Sequence, residues 1–413
     1  MADVSTIWLL KDRDRSLRRR HPWIYSGAIA RIEGDPAPGE VVRVVDHKGG
    51  FLAWAYHNNR SQIHARVLDW GETATIDETW WLSRVKEAVE RRRDLPGLKG
   101  SNVCRLVHAE ADGLPGLVVD RYGDHLVVQV LTAGVERVKN AIVAALVDAV
   151  SPKGVFERSD QETRKIEGLD AASGLLTGEA PPERLEVSEG GYRFAVDIKT
   201  GQKTGFYIDQ RDNRRYVAEY APGRDVLDLF SYSGGFSVYA LGAGASRSTL
   251  VDSSFAALEL AEHNLAANGI DDSRVEIIHG NASEVARSFR DDGRRFDMVI
   301  ADPPKFAQAR AHLEKAERAY KDVNLLGMKL LNPGGLLATF SCSGAVDIEH
   351  FSKIITWASV DANRQVQILQ RLSQGADHPV MPSFPESEYL KGLICRVLCG
   401  VGVGCGGPFR GNE

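Results

Sequence analysis

The chain has 413 residues, of which 43% are hydrophobic and 26% charged, and a formal net charge of -5. That length accommodates two or three domains, each burying its own core, and the composition excludes a disordered chain. The negative charge argues against a polyanionic partner for the molecule as a whole, but a local basic face would still neutralise phosphates.

The start MADVSTIWLLKDRDR lacks the basic head and long apolar core of a signal peptide, and no apolar run is long enough to span a bilayer. The five cysteines, Cys104, Cys342, Cys395, Cys399 and Cys405, are scattered and odd in number, which suits a reducing compartment. These features lead us to expect a cytoplasmic protein without a membrane partner. No Cys-x-x-Cys pair or paired histidines give a metal-binding spacing, so no metal is expected.

Residues from Ile7 to Leu68 read as a small, mostly β segment, with runs such as GEVVRVVD and FLAWAY between turn signals. Within it, LLKDRDRSLRRRHPWIYSGAIAR is basic, and Arg18, Arg19 and Arg20 stand close to Trp23 and Tyr25. Cations interleaved with aromatics suit single-stranded or looped RNA, with charge for phosphates and rings for stacking. A solvated charged turn with Trp23 in the core fits the same residues.

A helix is expected from Asp77 to Arg93, closed by Leu95-Pro96-Gly97. RLVHAEADGLPGLVVDRYGDHLVVQVL then reads as two strands joined at Tyr122-Gly123-Asp124, followed by a helix near Glu136 to Val150. This makes a small α/β middle domain that ends in a linker around Gly178 to Pro182.

From Leu185 the pattern alternates. DVLDLF, STLVD, VEIIHG, FDMVIA and GLLATFS are short apolar runs, with helical segments such as FAALELAEHNLAANG between them. Such alternation predicts a parallel, doubly wound sheet, whose ligands sit at the carboxyl ends of the strands. The residues after Val397 are glycine-rich and have no functional reading.

DVLDLFSYSGGFSVYALGAGA is a strand, a turn bearing Gly234 and Gly235, and a helix. It lacks the G-x-G-x-x-G spacing that cradles a pyrophosphate, which disfavours a nicotinamide-dependent oxidoreductase. S-adenosylmethionine carries no phosphate. It needs close backbone approach and carboxylates near its ammonium and sulfonium, which the turn from Asp228 through Phe230 to Phe236 could supply. Asp252 ends the next strand and stands where a ribose-binding acid is expected, although it could also cap the following helix. After the third strand, Asn281 is a candidate for the adenine amino group or, equally, a helix cap.

The fourth strand runs into Asp302-Pro303-Pro304-Lys305-Phe306. Consecutive prolines stiffen the loop, so that a carboxylate and carbonyls can be aimed at a base edge while Phe306 stacks on its face. The fifth strand ends in Ser341-Cys342-Ser343. Carbon 5 of cytosine is a poor nucleophile until a thiolate adds at carbon 6, so a cysteine placed here fits covalent catalysis, helped by a cationic neighbour. Taken by itself, Cys342 could be a buried core thiol.

Together these residues resemble the bacterial 23S ribosomal RNA 5-methylcytosine methyltransferases of the large, PUA-bearing type. The resemblance extends nearly to Val397. It rests on HPWIYSGAI, EADGLPGLVVDRYGD, KTGFYIDQRDNR, DLFSYSGGFS, VDSS, DPPKF and SCS, in that order. It implies an α/β protein in three parts: a PUA-like RNA-binding domain (1–72), a small α/β middle domain (73–182) and a Rossmann-like class I methyltransferase domain (183–397), before a tail (398–413). It further implies that KTGFYIDQR covers the cofactor with Tyr207, Asp209 and Arg211, that Asp252 holds the ribose, that Asp302 holds the base and that Cys342 is the nucleophile. The expected partner is 23S ribosomal RNA, free or partly assembled, and a homodimer is left open. Asn281 departs from the family's usual Asp, and the tail runs past the expected end. Two alternatives remain: a related guanine-nitrogen methyltransferase, which would need no thiol, and an inactive RNA-binding assembly factor, which the full set of motifs disfavours.

Overall fold

A computed structural model describes residues 4–159, 162–306 and 313–399. The tail residues 400–413, Cys405 among them, lie outside the described residues. Contacts divide the chain into two compact units. The first comprises Met1–Gly191, Val196–Ile208 and Ala376–Ser387, and the second Tyr192–Ala195, Asp209–Gly375 and Glu388–Glu413.

The first unit holds two sheets with separate cores. Six strands between Thr6 and Asp69 form one sheet around Ile7, Leu9, Ile24, Val42, Val44, Ala53 and Val67. In Val41–Val45 the buried Val42 and Val44 alternate with the less buried Val41 and Arg43, the period-2 pattern of a strand with one covered face, before the strand ends in the buried Val45. The second sheet has five strands, with Val103–His108 at one edge and Ala172–Gly178 at the other. Helices Glu78–Glu90 and Lys139–Val150 cover it through Trp81, Val85, Ile142 and Leu146. The first of these helices starts where Asp77 accepts a bond from the Trp80 amide, an N-cap that settles its end.

The middle segment departs from the two-strand expectation. Three strands form, Val103–His108, Leu117–Tyr122 and His125–Val130, because the chain reverses at Ala109–Asp112. The buried Asp112 carboxylate fixes that reversal, accepting the His108 amide at 2.6 Å and both terminal nitrogens of Arg92 at 2.6 Å. The stretch read as a linker directly follows the edge strand Ala172–Gly178, whose glycines and short apolar run gave no strand period.

The second unit is built on a seven-stranded sheet. In chain order its strands are Asp225–Leu229, Arg247–Asp252, Val275–His279, Phe296–Ala301, Leu331–Ser341, Gln365–Ser373 and Lys391–Leu398. Across the sheet the order is third, second, first, fourth, fifth, seventh, sixth. The first five are mutually parallel and the seventh runs antiparallel to both of its neighbours. Five of these strands match the apolar runs read from sequence. The order reverses beside the first strand, so the carboxyl ends of the first, second and fourth open on one crevice, the usual ligand position in such sheets. Among the described residues, no helix is long and apolar enough to cross a membrane.

Candidate active site

The turn after the first strand is conformationally forced. Phe230 and Tyr232 adopt φ of 64° and 48°, and Gly234 adopts 75° before helix Gly235–Gly242 begins. Left-handed non-glycine residues cost free energy and gather at binding loops. At Gly234 a Cβ would approach Ala261 Cβ to 3.1 Å and Leu250 Cδ2 to 3.2 Å, so glycine meets both a steric and a conformational demand.

Asp252, at the end of the second strand, accepts the Tyr232 amide at 2.9 Å with Oδ2 and the Ser254 amide at 2.8 Å with Oδ1. It thus ties the forced turn to the second strand. The helix cap is Ser254, which accepts from the Ala257 amide. Each carboxylate oxygen keeps a further lone pair, so ribose hydroxyls can still be received. Asp228 is 1% exposed and accepts the Ser237 hydroxyl at 2.7 Å. Burial, with Asp302 and Asp252 nearby, pushes its carboxyl up to about 7. A buried carboxyl flanked by two others has an electrostatic deficit that a cationic ligand would relieve, which fits an ammonium and a sulfonium. Phe236 is buried against Phe340, with ring centroids 5.2 Å apart, and Phe230 packs on the core. Asn281 caps helix Ala282–Asp291 by accepting the Ser283 and Glu284 amides.

The KTGFYIDQR block crosses the division between the units. Tyr207 belongs to the first unit, where its ring lies 4.2 Å from Lys203 Nζ. Asp209 and Arg211 are buried in the second, Asp209 accepting the Tyr389 hydroxyl at 2.8 Å. Gln210, which sequence reasoning passed over, donates to Asp302 Oδ2 at 2.9 Å and accepts from Asn213 at 2.6 Å. The DPPKF carboxylate is therefore aimed by its neighbour in the KTGFYIDQR block. Asp302 is half-buried, Pro303 is buried, and Pro304 and Lys305 are exposed. Phe306, expected as a stacking platform, instead meets Tyr320 edge-on at 4.8 Å and packs against the core.

Tyr320 carries this contact to the next loop, its hydroxyl lying 2.9 Å from Ser343 Oγ. Cys342, half-buried, therefore stands on a loop braced from the DPPKF side. On its other side is Lys391, 3% exposed, whose Nζ donates to the carbonyls of Ser343 at 2.7 Å and Tyr389 at 2.8 Å. The sequence reading anticipated a cationic neighbour but did not find this one. Its signal was a lysine opening the apolar run of KGLICRVL.

In the first unit, EADGLPGLVVDRYGD is an anchoring block. Asp120 holds Arg105 through two 2.8 Å bonds and receives the Thr204 hydroxyl at 2.6 Å, while the Tyr122 hydroxyl receives the Phe206 amide at 3.2 Å. These bonds fix the first residues of KTGFYIDQR. The amino-terminal basic stretch is more committed than its composition suggested. Arg18 pairs with Asp14 at 2.6 Å and Asp46 at 2.9 Å, and the Arg20 guanidinium lies 4.8 Å from the Trp70 ring centroid. Trp23, expected to stack on RNA, is half-buried. Its indole donates to Glu110 at 2.7 Å and its ring packs on Phe384 at 4.8 Å, because the indole N–H needs a buried acceptor. The exposed ring here is Tyr25, at 46%.

A strained, glycine-bearing turn, an acid ending the second strand and a proline-stiffened loop after the fourth define a class, and comparison with known families names it. The family model of S-adenosylmethionine-dependent methyltransferases matches residues 160–394, and that of PUA-like domains matches residues 7–70. The chain uses S-adenosylmethionine and belongs to the ribosomal RNA large subunit methyltransferase I family. It is 45% identical to the Erwinia tasmaniensis member over 390 residues, 94% of this chain and 98% of the relative. It is 46% identical to the Vibrio campbellii member over 397 residues, 96% and 100% of the two chains. The fold is shared with a methyltransferase crystallised with SAH, at TM-score 0.83 and 22% identity over 95% of this chain and 99% of that one. A protein described as a SAM-dependent methyltransferase from Streptococcus mutans gives TM-score 0.81 and 21% identity, with the same coverage.

Proposed function

We propose that this chain methylates carbon 5 of a cytosine in 23S ribosomal RNA, free or partly assembled, in the cytoplasm. The observation that carries the reading is Cys342, a half-buried thiol on a loop braced by Tyr320 and Lys391, one strand after Asp302. The relatives' names supply the ribosomal substrate.

When bound, S-adenosylmethionine supplies an electrophilic methyl group. The chain's own residues do the rest. The turn 230–235 and Asp252 would hold the cofactor's amino-acid and ribose parts, with Asp228 ionised behind them. The Asp302 carboxylate, aimed by Gln210, would accept from the exocyclic amine of cytosine. The Cys342 thiolate would add to carbon 6, its electron pair forming the S–C6 bond and turning carbon 5 into a nucleophile. Loss of the carbon-5 proton to a base after methylation would restore the ring and expel the thiolate. Residues 1–72 would grip RNA, 73–182 would anchor the segment leading to Tyr207, and 183–397 would perform the chemistry.

The test uses RNA carrying 5-fluorocytosine, which has no proton to lose at carbon 5. Wild-type protein should be trapped as a covalent RNA conjugate. Cys342→Ala should form none, and should lose turnover by several orders of magnitude with unchanged cofactor affinity and melting temperature. A guanine-nitrogen enzyme gives the opposite result, with full activity without the thiol and no conjugate. Retained cytosine methylation by Cys342→Ala would overturn the mechanism.

A further inference from the structure

The seventh strand begins at Lys391, which pairs in antiparallel register with Ser341, the residue before Cys342. Its Nζ bonds the carbonyl of Ser343, the residue after Cys342. The backbone of Lys391 is therefore paired with one flank of the thiol-bearing residue, and its ammonium is bonded to the other. A lysine 3% exposed is uncommon, since removing the charge from water is costly unless a partner compensates. An ammonium has three N–H donors. Two reach the carbonyls of Ser343 and Tyr389, and among the described residues the third has no protein acceptor. Carbonyl oxygens compensate an ammonium only in part, and a full negative charge beside it would complete the compensation.

We propose that Lys391 is a positioning residue that holds Cys342 as the thiolate and aims its loop, an inference that rests on Cys342 being the nucleophile. The thiol proton leaves to water, the sulfur keeps the electron pair, and that pair is the one that later bonds to carbon 6. The same ammonium steadies the thiolate when it is expelled. Burial lowers Lys391 to about 8, while Cys342, Glu388 and Asp347 push it back up and Lys305 pushes it down. Lys391 thus stays protonated through neutral pH and gives up its charge in mildly alkaline solution. The activity profile should accordingly rise as Cys342 ionises and fall as Lys391 is deprotonated.

The direct measurement is the pH dependence of iodoacetamide alkylation at Cys342, followed by mass spectrometry of its own peptide in the full chain. In wild type the midpoint should lie at least about one unit below the ordinary thiol value of roughly 8.5. Lys391→Met should move it up by a unit or more and slow alkylation at pH 7 about tenfold, the two being the same change. Lys391→Arg should restore much of both. A wild-type midpoint at or above the ordinary value overturns the proposal without any variant, so a misfolded Lys391→Met cannot shelter it. So does a folded Lys391→Met with an unmoved midpoint. Trapping by 5-fluorocytosine RNA separates this from the reading beneath it. A depressed midpoint without a conjugate removes the nucleophile and keeps the thiolate, and a conjugate with an ordinary midpoint does the reverse.

Discussion

Asp228 shows how one residue couples the site to solution conditions. Its folded-state carboxyl is raised to about 7, chiefly by burial. A raised acid binds its proton more tightly in the folded state. Its contribution to stability is therefore fully present below the unfolded value near 4 and is lost as pH rises through about 7. Above that window the ligand-free protein carries a buried anion, at a cost of up to about 4 kcal/mol at 1.36 kcal/mol per unit. A cationic cofactor would relieve that cost. S-adenosylmethionine should therefore bind more tightly at pH 8 than at pH 6, by about tenfold, in calorimetric titrations. Asp228→Asn should remove this pH dependence and raise the melting temperature of the ligand-free protein at pH 8. Equal affinity at both pH values would take Asp228 out of the cofactor's field.

At the scale of elements, the site is made by turns whose geometry the flanking strand and helix impose. The turn after the first strand is held from two sides, by Asp252 through the Tyr232 amide and by Ala261 and Leu250 against Gly234. Gly234→Ala must keep a left-handed backbone and press its methyl group into that contact. We expect a loss of about 1–3 kcal/mol in urea unfolding, together with weaker cofactor binding. Unfolding unchanged by the substitution would mean that the turn can relax, and the strain argument would fail. Elements also explain the middle block. In EADGLPGLVVDRYGD the acids Asp112 and Asp120 hold Arg92, Arg105 and Thr204.

For the whole molecule, a formal charge of -5 must be reconciled with a polyanionic substrate. The basic stretch of the first unit supplies local charge, but its arginines are not equivalent. Arg18 is shared between Asp14 and Asp46, whereas Arg19 and Arg20 are exposed without such pairs among the described residues. Replacing Arg19 and Arg20 by Ala should reduce the salt dependence of RNA binding by about one unit of slope per lost phosphate contact. Arg18→Ala should change it less, because that charge is already neutralised. An equal effect of all three in filter binding at graded salt would show that the ion pairs open on RNA.

Much of this was legible in the chain itself. The five parallel strands, Gly234 in its turn, and the places of Asp252, Asp302 and Cys342 at strand ends each lie within a short window, where hydrophobic period, turn chemistry and motif spacing act. Local sequence could determine them because strand ends and turns depend on neighbours a few residues apart. The long-range partners were not legible. Gln210 reaches Asp302 across 92 positions, Lys391 reaches Ser343 across 48, and Trp23 is taken by Glu110 across 87. No local pattern encodes such pairs. They are chosen when strands take their places in a sheet and a buried donor or charge must find an acceptor, and only the tertiary structure brings those groups within reach.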